Sequence, residues 1–193
     1  MLKMTRFIAV FLGLLLGLSV AHAQPAAFSL SIDAFANGGT IPLQHSQAAP
    51  DAEPGGGTSP ALRWANAPEG TRSFVVHMHD LDFGPSRNPA TQVHWVVWNI
   101  PGDATGLAEG LPAGNPLPNG ALQISATGHV YRGPGAPATR PPHHYLFEVY
   151  ALDTELDVMP GDDAIATREA VMEAMKGHVL ARSVYFGRFN RPQ

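Results

Sequence analysis

The stretch Phe74–Pro101, FVVHMHDLDFGPSRNPATQVHWVVWNIP, decides how the rest of the chain is read. It divides into two β-forming runs around a polar loop. The first, Phe74–His79, is rich in Val and Phe and runs into Asp80-Leu81-Asp82; the second, Val93–Ile100, is rich in Val and Trp and carries His94 at its head. Gly84, Pro85, Asn88 and Pro89 between them break any helix and confine the chain to a loop. A carboxylate pair at the end of one strand and an imidazole at the start of the next can converge at a sheet edge. Binding groups commonly sit there, on loops held by a rigid scaffold.

Working outward, the upstream segments are short and extended. Ala27–Ile32 alternates weakly and reads as an edge strand, Asn37-Gly38-Gly39 as a turn, and Thr40–Leu43 as extended chain. Ser46–Ser59, with Gly55-Gly56-Gly57, is a loop, followed by a short strand over Ser59–Trp64 and a turn over Asn66–Gly70. Downstream, residues 101–120 form a Pro- and Gly-rich irregular connection, and Ala121–Ser125 is a short strand. The Pro-rich loop Tyr131–Pro142 then delivers His143 and His144 to the strand Tyr145–Leu152, whose alternation places His143, Tyr145, Phe147 and Val149 on one face. A single helix is predicted late, with Thr167 as N-cap, Glu169 in its first turn, and an apolar stripe from Val171/Met175 and Ala170/Ala174; Gly177-His178 ends it. Its methionines are expected in the core, and Val179–Phe189 is the last strand. Strands throughout, one short helix near the C-terminus and no βαβ alternation predict an all-β fold, an antiparallel β-sandwich of Greek-key type.

The amino terminus has a different character. Lys3 and Arg6 precede the apolar run Phe7–Val20, and Ala21-His22-Ala23 fits the small-x-small rule of signal peptidase. Residues 1–23 are therefore expected to be a cleaved secretory signal peptide, the run being shorter than the ~20 residues that span a bilayer. Residues 24–193, 170 in number, are expected to form one domain, exported to the periplasm or secreted. The formal charge of −4 falls to −6 when Lys3 and Arg6 leave, which argues against a nucleic-acid partner. There is no cysteine, so thiol chemistry, disulfides and Cys-type zinc sites are excluded.

Asp80, Asp82, His94, His143 and Tyr145 each lie where a strand meets a Pro/Gly-rich loop. Imidazoles and a phenol can donate to an anionic oxygen, and a carboxylate can orient an imidazole or accept from an ammonium group. Such a pocket would suit a small phosphorylated or zwitterionic ligand. His77 and His79, two apart on one strand face, have geometry suited to zinc or copper, but the sequence names no third ligand, so no metal and no cofactor are assigned. There is no Gly-x-Ser-x-Gly elbow, His-Glu-x-x-His or Walker loop. Gly133–Ala138 formally fits Gly-x-Gly-x-x-Ala, but Pro134 and Pro137 forbid the helix that motif needs.

From about Phe28 to Arg188 the sequence resembles the phosphatidylethanolamine-binding protein family, in its bacterial Raf-kinase-inhibitor-like branch. The matching features occur in order: Phe35 with Asn37-Gly38-Gly39 and Ile41-Pro42, Ser59-Pro60-x-Leu62-x-Trp64, Pro68-Glu69-Gly70-Thr71, Asp80-x-Asp82, His94-Trp95, Asn99-Ile100-Pro101, Gly133-Pro134, Pro142-His143-His144-Tyr145, Tyr150-Ala151-Leu152-Asp153 and Gly177–Ala181. The resemblance implies a β-sandwich whose small pocket binds phosphate-like anions. It places Asp80, Asp82, His94, Gly133, Pro134, His143 and Tyr145 at that pocket, with His144 where the family usually has Arg. Leu81 stands where the family's loop has Pro, and Phe83-Gly84 where it has Ala-Pro; residues 123–128 replace a Gly-x-Asn-Asp segment, and the long loop before His143 carries Arg140.

The expectation is thus an exported, non-enzymatic protein that binds a small anionic or phosphorylated ligand, with no catalytic residues. In it His94, His143 and Tyr145 donate to the anion, and Asp80 holds an imidazole or meets a cationic head group. Two other readings stay open: a secreted inhibitor acting on a protease or kinase by surface contact, and a hydrolase using a metal or the His/Asp cluster. No membrane span is expected in the mature chain, as monomer or homodimer.

Overall fold

The structure, a computed structural model, describes residues 26–50, 52, 56–83 and 92–193. The leader expected over 1–23, Gly55 and the loop breakers Gly84, Pro85, Asn88 and Pro89 lie outside the described residues.

The two runs that open the sequence reading are the centre of the larger sheet. They are β3 (Ser73–Asp80) and β4 (Gln92–Pro101), paired antiparallel. With β6 (Leu122–Ile124), β7 (His143–Leu152) and β8 (Val179–Phe189) they form a five-stranded sheet in the order β6-β4-β3-β7-β8. A smaller sheet, in the order β1-β2-β5, comprises β1 (Ser29–Ile32), β2 (Leu62–Ala65) and β5 (Gly106–Leu107). All named strand pairs are antiparallel. The fold is an antiparallel β-sandwich.

β3 and β4 are apolar almost without alternation because the larger sheet is covered on both faces. Its inner face presents Phe74, Val76, Met78, Trp95, Val97, Tyr145, Phe147 and Val149 to Leu30, Ile32, Leu62 and Trp64 of the smaller sheet. Its outer face buries Val75, Val93, Val96 and Trp98 with Ile124, against Val171 of α1 (Ala164–Ala174) and its C-cap Met175. Each large side chain buried this way contributes about 2–3 kcal/mol. The two buried indoles of β4 are satisfied: Trp95 Nε1 donates to Gln123 Oε1 at 2.9 Å and Trp98 Nε1 to the Val158 carbonyl at 2.9 Å.

Several boundaries differ from the sequence reading. α1 begins earlier than expected, and its N-cap is Asp163, whose Oδ1 accepts from Ile165 N at 2.8 Å and Ala166 N at 3.1 Å. Thr167 is inside the helix and buried, its hydroxyl accepting from Gly161 N, so the expected Val171/Met175 stripe begins one turn earlier at Thr167; Ala174 packs beside it half-buried, and Ala170 is exposed. Met175 is in the core and Met172 packs against it. Leu43, expected to be extended, starts a 3-10 turn, Leu43–His45, held by His45 N and Ser46 N donating back to Pro42 and Leu43 carbonyls. The strand expected over Ser59–Trp64 is displaced to Leu62–Ala65, where it pairs with β1. The connection after Pro101 contains β5, two residues too Gly-bound to read as a strand.

Candidate functional site

Asp80 closes β3 opposite Tyr145 of β7, and its buried carboxylate organises one end of the sandwich. Oδ1 accepts from the amides of Asp82 at 2.9 Å and Phe83 at 3.1 Å, which turns the chain off the strand. Oδ2 accepts from His143 Nδ1 at 2.8 Å. The Tyr145 hydroxyl is also hydrogen-bonded to Asp80, while accepting from the amides of Gly135 and Ala136 at 3.2 Å each. Burial, then the Asp80 charge beside it, pushes the Tyr145 pKa well above its ordinary value, so it stays a neutral phenol. Asp80 therefore holds an imidazole, as expected. The Tyr145 hydroxyl, expected to donate to an anion, is instead engaged by Asp80 and the loop.

His94 sits at the head of β4, buried and edge-on to Tyr145 with ring centroids 5.1 Å apart. Its Nδ1 lies 2.9 Å from the Arg132 carbonyl, which can only accept, so Nδ1 carries the proton. Arg132 N returns a bond to the His94 carbonyl at 3.0 Å. Burial lowers the His94 pKa to about 4, leaving a neutral ring with a bare Nε2. That Nε2 is buried and has no hydrogen-bond partner among the described residues. His94 is thus an acceptor towards the pocket and not the anion donor expected from the sequence.

A donor facing the same space is Arg132 Nε, which is likewise buried without a partner among the described residues. Both residues line a cavity of about 200 Å³ with Gln47, Gln92, Asp80 and Tyr145; Phe83 and residues 135–137 complete its wall. Gly133 and Pro134, expected at the rim, act behind it. Gly133 N donates to the Gly56 carbonyl at 3.1 Å, Gln47 Nε2 donates to the Gly133 carbonyl at 2.7 Å, and Gln47 N to the Pro134 carbonyl at 2.9 Å. A Cβ on Gly133 would come within 2.6 Å of Gly56 O and 2.7 Å of His45 O, so only glycine permits this clamp.

Asp82 and His144 are outside. Asp82 Oδ2 accepts from His144 N at 2.6 Å and His144 Nδ1 at 2.9 Å, an exposed pair that knots β7 to the loop start. The slight burial of Asp82 raises its pKa, but these bonds outweigh it and the net shift is downward. His143 touches the pocket through Asp80. Arg140 is exposed and does not itself line the cavity, its amide donating to the carbonyl of the lining residue Pro137 at 3.1 Å. The departures at Leu81 and Phe83 leave both side chains exposed, Phe83 at the pocket wall.

An antiparallel sandwich with a small polar pocket at the end of its central strands defines the class of protein. The sequence profile of the family "PBP: Phosphatidylethanolamine-binding protein" matches residues 31–190, and the chain belongs to that family. It is 38% identical over 165 residues to a UPF0098 protein of Methanothermobacter thermautotrophicus, covering 84% of this chain and 99% of the relative. It is also 38% identical over 138 residues to the UPF0098 protein YbcL of Escherichia coli K12, covering 69% and 73%. The crystal structure of E. coli YbcL, described as a new member of the mammalian PEBP family, superimposes with a TM-score of 0.72 at 29% identity, covering 86% of this chain and all (100%) of YbcL. A PEBP homologue from Chlamydia trachomatis gives 0.69 at 30% identity, covering 86% and 99%.

Proposed function

We propose that this protein is a non-enzymatic, exported binder of a small anion that carries a proton or another hydrogen-bond donor, a monoprotonated phosphate or phosphate monoester being the simplest case. The observation that carries the reading is the pair of buried nitrogens, unpartnered among the described residues, at one cavity of about 200 Å³: a cationic donor on Arg132 and a neutral acceptor on His94. A phosphate oxygen meets the guanidinium and a P–OH meets His94 Nε2. Among the described residues lining the cavity there is no Ser, Thr, Cys or Lys, and an imidazole with a pKa of about 4 is a poor general base at neutral pH; both favour binding over hydrolysis. Export rests on the character of residues 1–23, and amino-terminal sequencing of protein from the periplasm should begin after Ala23.

Phosphate against sulfate is the deciding comparison, because sulfate has no proton at neutral pH and would face His94 Nε2 with a second acceptor. An unmade bond of this kind costs about 1–3 kcal/mol, so sulfate should bind about tenfold or more weakly by calorimetry. Arg132→Gln should weaken phosphate by a similar factor. Equal affinity for both ions, unchanged in Arg132→Gln, would sink the reading.

A further inference from the structure

A second cluster of ligating groups lies on the opposite face of the larger sheet. His77 and His79 stand two apart on β3, and His77 pairs across the sheet with Glu148 of β7. The two imidazoles stack with centroids 4.3 Å apart and planes inclined by 13°. His77 Nδ1 is 3.3 Å and His79 Nε2 3.4 Å from the same oxygen, Glu148 Oε2. One ligand atom from each residue lies within 4.8 Å of the other two.

Those separations are long for charge-assisted hydrogen bonds, which close to about 2.7–2.9 Å. They match the edge of a tetrahedron around zinc, since bonds of about 2.0–2.1 Å at tetrahedral angles place ligand atoms about 3.3–3.4 Å apart. A second observation is independent of that spacing. His77 is buried with Nδ1 3.3 Å from Glu148 Oε2, and its Nε2 has no hydrogen-bond partner among the described residues, an unmet polar demand in a buried ring. The other Glu148 oxygen, Oε1, accepts from Arg182 Nη1 at 3.4 Å, which orients the carboxylate and leaves Oε2 turned to the histidines.

We infer that His77, His79 and Glu148 form a divalent transition-metal site, with zinc as the representative ion. Two imidazoles and one carboxylate select a borderline metal over calcium or magnesium, which prefer oxygen ligands. Three protein ligands leave a fourth position, which opens on a depression of about 540 Å³ beneath α1. Glu169 and Glu173 also line that depression, offsetting Arg168 and Lys176 on the same helix face.

The test uses the full chain purified without a polyhistidine tag. Zinc is titrated in competition with a chromophoric chelator, and cobalt(II) is followed by its visible absorption. The expected result is one equivalent bound at micromolar or tighter affinity, weakened about 100-fold or more in His79→Asn and in Glu148→Gln. His178→Asn, which breaks the exposed pair with Asp153, should leave binding unchanged. Failure of the wild type to bind one equivalent below millimolar metal would overturn the inference, as would equal binding in all variants. Cobalt(II) shifts of the Met172 methyl, which lines the same depression, read the site in the wild type even where a variant does not fold. A bound ion that leaves Met172 unshifted lies elsewhere and would also overturn it.

Discussion

The neutral state of His94 has a consequence for stability in acid that can be worked out in full. Burial holds its folded pKa at about 4, against an ordinary value of 6.5 in the unfolded chain. Between those values the unfolded state binds a proton that the folded state refuses, so unfolding becomes easier as pH falls. The penalty is absent above about pH 7, grows through the window from 6.5 to 4, and reaches about 3 kcal/mol at pH 4. His77 is lowered in the same sense, mainly by burial, and adds to the wild-type decline. Glu148 behaves as a paired carboxylate: its burial penalty is outweighed by hydrogen bonds from His77 and His79, so its stabilising contribution is lost only below the ordinary carboxylate range. The difference between wild type and His94→Asn isolates the one group, because the amide keeps a donor for the Arg132 carbonyl and does not titrate. Urea unfolding at intervals from pH 7.5 to 4 should show the variant less stable at neutral pH, through lost packing, and gaining on the wild type by about 3 kcal/mol at the acid end. A gap that stays constant with pH, or an imidazole resonance of His94 titrating near 6.5, would refute both the burial argument and the acceptor role.

Three further substitutions test the scaffold. Tyr145→Phe leaves the Gly135 and Ala136 amides and the Asp80 carboxylate without the phenol, and should cost about 2 kcal/mol in urea unfolding at pH 7; a loss below about 0.5 kcal/mol would mean the hydroxyl is not holding the loop. Asp163→Ala removes the cap of α1 and should cost about 1 kcal/mol, whereas Thr167→Ser, which keeps the hydroxyl, should cost no more than its missing methyl; the reverse order would restore Thr167 as the cap.

The strands were legible where burial imposes a pattern, and the site was legible only in part. β3, β4 and β7 could be read because apolar, β-branched and aromatic residues dominate there, and β8 because Val179, Leu180, Val184, Tyr185, Phe186 and Phe189 recur between its polar residues. The α1 start differs because Thr167 has the chemistry of a cap, and only its burial, with the hydroxyl bonded to Gly161 N, shows that it faces inward. At the pocket, Asp80, His94 and Tyr145 were identified from strand ends, but their roles were not. Whether an imidazole donates or accepts depends on which carbonyl its other nitrogen meets, and the Arg132 carbonyl is 38 residues away in sequence. Arg132 itself had a signal, since it directly precedes Gly133-Pro134. Gln47 had none, because it reaches the cavity through contacts 86 residues distant.

The same blindness to long-range pairing hid the third ligand beside His77 and His79. Side chains on a strand alternate between faces, so β3 sends Asp80 and Met78 inward and His79 and His77 outward. On β7 the inward set is Tyr145 and Phe147, opposite Asp80 and Met78, and the outward set includes Glu148, opposite His77. One pair of strands therefore supplies the small polar cavity from one face and the His/His/Glu cluster from the other. The sequence lists both sets interleaved, and only the register separates them. A slip of one residue between β3 and β7 would carry Asp80 outward and Glu148 against the core. The buried aromatic side chains of Tyr145 and Phe147 oppose such a slip, since every one of them would be turned to the outer face. Packing of the core is thus what fixes both polar sites, and neither can be altered in register without unfolding the other.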